Sequence, residues 1–267
     1  MRSQAMPTLT HIVAVPALPA PRRDCRRSAV MRLLSVSALL LAVVPAQAPP
    51  PTPSPPPVDP AVVQAGEALL RRHAERSRTM HVLVAGYQQT RTTKLSKQPL
   101  QSEGTFLFVR DPACIVFRAR TPRESVVRLR PALYEVFRPQ QKRLERFWLD
   151  GPELSEGLFA AIGGDAEVLL REFAVQACGP DPADATRTLL VLLPRRELVR
   201  DRLVELRLSL RTKGGELAAV AYRDPAGDLV EIALRDVVVD PEQPPSSEFD
   251  VPEGTAVVEH APPKRRE

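Results

Sequence analysis

The chain has 267 residues, with 37 Lys and Arg against 32 Asp and Glu, for a formal net charge of +5. A hydrophobic share of 43% and a charged share of 26% are those of a folded globular protein and exclude disorder throughout. The 3 Cys exclude a disulfide-dense scaffold, and the 267 residues allow one or two domains.

The basic excess sits at the front. Residues 1–46 hold Arg2, Arg22, Arg23, Arg26, Arg27 and Arg32 and one acid, Asp24. The rest of the chain is formally neutral, which removes the electrostatic footprint that nucleic-acid binding requires. Residues 33–44 form an apolar run of 12 behind Arg32. That run is too short to span about 30 Å of hydrocarbon, which takes roughly 20 helical residues. Followed by the small residues Ala46 and Ala48, it reads as a signal-peptide core, with cleavage near either alanine. The signal is assigned to residues 1–46, and Met31 is a candidate true start. Nine Pro between Pro45 and Pro60 follow. They favour extended polyproline II, so residues 47–60 read as a semi-rigid linker. A domain over 61–260 and a charged tail over 261–267 complete the organisation.

Residues 61–78 carry helical periodicity through Val62, Val63, Ala65, Leu69 and Leu70, with Asp59-Pro60 as cap and first-turn proline. His73, among Arg71, Arg72 and Arg76, is expected on the exposed side. The pattern then switches to period two. Leu83, Ala85 and Tyr87 alternate in one strand, and Ile115, Phe117 and Ala119 in another. Val127 and Leu129 alternate with Arg128 and Arg130. Val204, Leu206, Leu208 and Leu210, then Val230, Ile232 and Leu234, alternate with charged or small residues. One greasy face and one wet face per strand predict an antiparallel sheet buried on one side. Lys213-Gly214-Gly215-Glu216 and Asp224-Pro225-Ala226-Gly227-Asp228 are hairpin turns. Residues 152–173 interrupt the strands with two apolar-faced helical runs, parted at Gly163-Gly164, with Asp165 as cap of the second. Gly163-Gly164 reads equally as a hinge or a helix break. The expected fold class is α+β, mainly β: a strongly curved antiparallel sheet forming an incomplete barrel, with short helices as a lid.

No G-x-S-x-G, H-E-x-x-H or Gly-rich phosphate loop occurs, and the His at 11, 73, 81 and 260 stand at no ligand spacing. The sequence therefore points to a binding protein, not an enzyme, with no cofactor and no metal. Cys114 and Cys178 could pair in an oxidising envelope or stand as separate small apolar residues. The parity of Cys114 with Arg118 places it on the outward face.

The chain resembles the LolA-like family, the periplasmic carriers of outer-membrane lipoproteins. Alternating apolar residues lead to an aromatic-x-Gln at Tyr87 and Gln89. A Gly-x-Phe strand runs from Gly104-Thr105-Phe106 to Arg110-Asp111-Pro112. Phe117 and Pro122, then the strand pair from Ser125 to Pro139, follow in the family order. Near the end come the Asp224…Gly227 hairpin and Phe249-Asp250-Val251-Pro252-Glu253-Gly254, with Val257 and Val258 after it. The similarity spans about residues 80–260. The departures are Asp111, inserted between Arg and Pro, and Arg130-Pro131 where the family has an Asp-Gly turn.

The resemblance implies a lipid-binding inner face lined by Phe106, Phe108, Ile115, Phe117, Val127, Leu129, Leu206, Leu208, Val230 and Ile232. It implies that Arg110 latches the helical lid. It further implies a periplasmic monomer that takes acyl chains of lipoproteins or lipids from an inner-membrane ABC-type lipoprotein exporter and delivers them to an outer-membrane acceptor. Two other readings share the fold: a carrier of a glycolipid or other lipid beside a different exporter, and an envelope sensor of lipid or lipoprotein.

Overall fold

The computed structural model describes residues 58–94, 96, 98–149 and 153–260. The expected signal peptide, most of the linker and the tail lie outside the described residues. Helix α1 (Pro60–Ser77) starts where its chemistry requires: the Asp59 side chain accepts a hydrogen bond from the amide of Ala61 at 2.8 Å. Strands β1 (Val82–Thr92), β2 (Leu100–Val109), β3 (Cys114–Thr121), β4 (Ser125–Arg130), β5 (Leu133–Arg138) and β6 (Arg143–Trp148) follow as a meander. Then come α2 (Glu153–Gly163) and α3 (Ala166–Glu172), the second capped by Asp165, which accepts from Val168 N at 3.0 Å. Strands β7 (Phe173–Asp181) and β8 (Asp184–Pro194), the single turn α4 (Glu197–Arg200), and β9 (Glu205–Arg211), β10 (Leu217–Arg223), β11 (Leu229–Val239) and β12 (Ala256–His260) complete the described chain. Val204 falls one residue short of β9 and is exposed.

All twelve strands join one sheet in the order β12-β6-β5-β4-β3-β2-β1-β11-β10-β9-β8-β7. Strands β12 and β7 are its two edges, so the sheet does not close. The expected mainly-β, incomplete antiparallel barrel with short helices is therefore the observed architecture. One pairing departs from it. Strand β12 runs parallel to β6, with Ala256 opposite Arg143 and His260 opposite Phe147. Residues 241–255 return the chain across the outer face, and this long return permits a parallel pairing that no hairpin could make.

Curvature follows from the side chains. Tyr134 on β5 and Tyr222 on β10 stand six strand positions apart, about 29 Å in a flat sheet at ~4.8 Å per strand. Yet the two phenols lie within electrostatic reach of one another, and both lie within reach of Arg91 on β1. The sheet curls until its far strands face each other across the interior. One hydrophobic core fills that interior and includes Leu69 and Leu70 of α1, Ile162 of α2 and Leu169 of α3.

The outer face is not uniformly wet, contrary to the alternation reading. Leu107, Cys114 and Val116 form a second buried cluster there, and Arg128 and Glu135 are buried beside it. The returning strap accounts for this. Arg118 donates to the carbonyls of Ser246 and Glu248 at 2.8 and 2.9 Å. Phe249 stacks on Phe137 at 5.6 Å, and the Arg128 guanidinium lies 4.5 Å from the Phe249 ring centre. Cys114 does face outward, but it is covered. Cys178 packs against the main core, and both cysteines are free thiols whose burial pushes their pKa up.

Candidate functional site: the inner face and its helical lid

Period-two alternation puts Phe106 and Phe108 of β2, Ile115 and Phe117 of β3, and Val127 and Leu129 of β4 on the interior side. The register sets them side by side: Phe106 opposite Phe117, Phe117 opposite Val127, and Ile115 opposite Leu129. Leu206 and Leu208 of β9 and Val230 and Ile232 of β11 come in from the other half, through Val220 and Tyr222 of β10. All ten residues expected to line the face are buried and belong to one cluster. Phe117 is held by Phe106 at 5.0 Å and by the edge of Tyr87 at 5.2 Å between ring centres.

In this conformation the face is covered. Leu69, Leu70, Ala160, Ala161, Ile162, Ala166 and Leu169 of the three helices complete the same cluster. Phe159 of α2 reaches Phe108 at 6.5 Å between ring centres. The apolar sides of these helices thus keep solvent off the inner face.

Arg110, one residue past the end of β2, sits where these elements meet. Its Nε donates to the carbonyl of Met80 at 2.7 Å. Its Nη2 donates to the carbonyls of Ser77 and Gly163, each at 2.8 Å. These acceptors are the last residue of α1, the turn into β1 and the last residue of α2. A single guanidinium therefore satisfies two helix-end carbonyls that have no partner within their own helices. Asp111, the inserted residue, is exposed and leaves these bonds in place.

Gly163-Gly164 is shaped by close packing. Gly164 has φ +72, and a Cβ there would stand 2.6 Å from Ser77 Cβ. A Cβ on Gly163 would stand 3.1 Å from the Phe108 ring. The pair ends α2 and lets the lid touch both α1 and the sheet.

His73 corrects the sequence expectation. It is 1% exposed, not on the solvent side. Nδ1 lies 2.9 Å from the carbonyl of Gly215 in the β9–β10 turn, and Nε2 lies 2.9 Å from the carbonyl of Ala161 in α2. The ring ties α1 to a sheet turn and to the lid. Burial pushes its pKa down, against the opposing pull of the Ala161 and Gly215 carbonyls and the Glu216 charge. Its arginine neighbours masked this position, because helical phase alone leaves His73 on the same stripe as Leu69 and Leu70.

Sequence reasoning also missed a polar set on the inner face. Gln89 and Arg91 share the parity of Tyr87, and Tyr134 and Tyr222 share the parity of Val136 and Val220. The hydroxyls of Tyr134 and Tyr222, Gln89 Oε1 and Arg91 Nε are buried without a hydrogen-bond partner among the described residues. Burial raises the pKa of both phenols, and that of Tyr87 to about 12. Among the described residues, no group of three or more His, Cys, Asp or Glu could hold a metal ion, and no helix is long and apolar enough to cross a membrane.

No known family model matches this sequence, and no curated protein matches it. Solved structures similar to it include a domain assigned to outer membrane lipoprotein sorting from Vibrio parahaemolyticus, at 10% identity and TM-score 0.39, covering 67% of this chain and 93% of that one. The lipoprotein LppX from Mycobacterium tuberculosis aligns at 12% identity and TM-score 0.42, covering 69% and 99%. A LolA superfamily protein from Nitrosomonas europaea aligns at 10% identity and TM-score 0.35, covering 66% of this chain and 92% of that one.

Proposed function

We propose that this protein is an exported, non-enzymatic carrier that binds acyl chains on the inner face of its sheet. In this reading it works in the periplasm and carries lipoprotein or lipid cargo from the inner to the outer membrane. An inner-membrane ABC-type lipoprotein exporter would supply the cargo and an outer-membrane acceptor would receive it. One observation carries the reading: a continuous apolar face on a curled sheet is covered by helices, two of which a single arginine holds at their ends.

The energetics suit a carrier. Burying one 16-carbon chain contributes roughly 12 kcal/mol gross, at about 0.8 kcal/mol per methylene. Cargo held that tightly would not be released. A lid that packs on the same face when empty offsets much of the gain, because cargo must displace Ile162 and Leu169 and then gives way when they return. Arg110 and His73 set how strongly the empty state closes.

The test is mass spectrometry of the protein isolated from its native envelope under non-denaturing conditions. A species carrying one acyl-bearing ligand, released on denaturation, is expected. Ligand-free protein from every preparation, with no uptake of added lipoprotein or phospholipid, would overturn the reading.

A further inference from the structure

The inner face has a polar floor. Tyr134 and Tyr222 are each 1% exposed and belong to the hydrophobic core, and neither hydroxyl has a hydrogen-bond partner among the described residues. Burying a hydroxyl with nothing to bond is unfavourable, so native cores rarely keep two such groups together. Arg91 lies within electrostatic reach of both. Its Nη2 donates to Asp228 at 2.8 Å, while its Nε is buried and unbonded. The ion pair Arg138–Glu145 also lies within electrostatic reach of Tyr134.

The position matters as much as the chemistry. Tyr222 is the penultimate residue of β10, at the end away from the β9–β10 turn that His73 holds. Arg91 is near the end of β1 farthest from Met80 and the Arg110 latch. Tyr222 and Arg91, which both stand opposite Val230, therefore lie at the end of the interior opposite the latched ends of the helices, with apolar wall between. A ligand with a long apolar chain and one oxygen-bearing end fits both parts.

We propose that Tyr134, Tyr222 and Arg91 form a subsite for the acyl oxygen of the cargo, with the two hydroxyls and Arg91 Nε donating to a carbonyl or carboxylate oxygen. The inference rests on the carrier reading and deepens it: the ester, amide or carboxylate oxygen of the cargo is held by these three groups while its chain lies along the apolar wall. Three donors and no free cationic end select acyl compounds over plain hydrocarbon. The carboxylate of a free fatty acid and the carbonyl of an acyl ester present the same acceptor.

The experiment compares binding of palmitate, methyl palmitate and n-hexadecane to the full chain by competition with a fluorescent naphthalene sulfonate. The wild type should bind at least one oxygen-bearing ligand about tenfold more tightly than hexadecane, the scale of one or two net hydrogen bonds. Preference for palmitate alone assigns the site to a carboxylate; equal preference for both assigns it to the acyl carbonyl. The Tyr134→Phe, Tyr222→Phe double variant, which keeps only the Arg91 donor, should lose most of that preference. Without ligand it should melt at or above the wild-type temperature, since it loses only unpaired hydroxyls. Equal binding of all three ligands by the wild type, an undiminished preference in the double variant, or a melting temperature several degrees lower would overturn the subsite. Failure of the wild type to bind any of the three, hexadecane included, would instead overturn the carrier reading on which it rests.

Discussion

Arg110 Nη2 donates to the carbonyl of Gly163 at 2.8 Å, and so fixes the end of the second helix to the end of the second strand. The same nitrogen holds the carbonyl of Ser77, the last residue of the first helix. Removing this guanidinium should weaken the closed state without unfolding the sheet, because Arg110 lies outside the hydrophobic core. A hydrogen bond to a charged group contributes about 1.5 to 3 kcal/mol, so losing even one shifts the balance towards the open lid about tenfold or more. Arg110→Leu should therefore keep its far-ultraviolet circular dichroism and release acyl cargo about tenfold more slowly. Unchanged release kinetics would remove the latch role.

Gly164 has φ +72 and stands against Ser77 and the carbonyl of His73. Alanine there meets both backbone strain and a contact that real side chains do not tolerate. Gly164→Ala should destabilise the protein by about 1 to 3 kcal/mol in chemical denaturation. The same change at Gly179, where an added Cβ meets nothing within 4 Å, should cost less than half as much.

His73 gives a pH dependence with a definite sign. Burial lowers its folded-state pKa below the ordinary 6.5. The unfolded chain therefore takes up a proton that the folded chain resists. The stability tied to a neutral His73 is fully present above about pH 6.5 and is lost as the pH falls through that value towards the lower folded pKa. Melting temperature should fall between pH 7.5 and 5.5, and His73→Ala, though less stable at pH 7.5, should show a flatter slope. An imidazole titration above 6.5, followed by nuclear magnetic resonance, would contradict this.

The strap across the outer face yields a graded pair of substitutions. Glu135 is 1% exposed, accepts from Arg128 at 2.6 Å and from Arg146 at 3.1 Å, and holds the buried Arg128 in place. Glu248 also pairs with Arg128, but its side chain is 69% exposed. Glu135→Ala leaves a buried guanidinium with one exposed partner and should cost about 3 kcal/mol or more. Glu248→Ala should cost about 1 kcal/mol or less. Equal costs, measured by urea unfolding, would show that the strap and not Glu135 neutralises Arg128.

The sequence exposed what is local and hid what depends on distant strands. Ile115, Phe117, Val127 and Leu129 betray their face through charged or small neighbours at alternate positions. Asp59 and Asp165 mark helix starts because a capping carboxylate acts within three residues. Nothing local reveals that Arg128 and Glu135 are buried, since the covering residues, Glu248 and Phe249, lie more than 100 positions away. Tyr134 and Tyr222 illustrate the same limit. Parity puts each on the inner face, but only the curl of the sheet brings two strands six positions apart within reach. His73 sits in an arginine-rich turn of sequence, and the turn at Gly215 that buries it comes 142 residues later.

The central claim is that the helices over the inner face give way to acyl cargo. Hydrogen exchange of the α2 and α3 amides, residues 153–172, measured with and without saturating palmitoyl cargo, tests it most directly. The account predicts that cargo speeds exchange in these two helices while strands β1 to β4 and β9 to β11 stay as protected as before or become more so. Cargo that binds and leaves α2 and α3 fully protected would contradict it, because the apolar face would then be a fixed core and not a site.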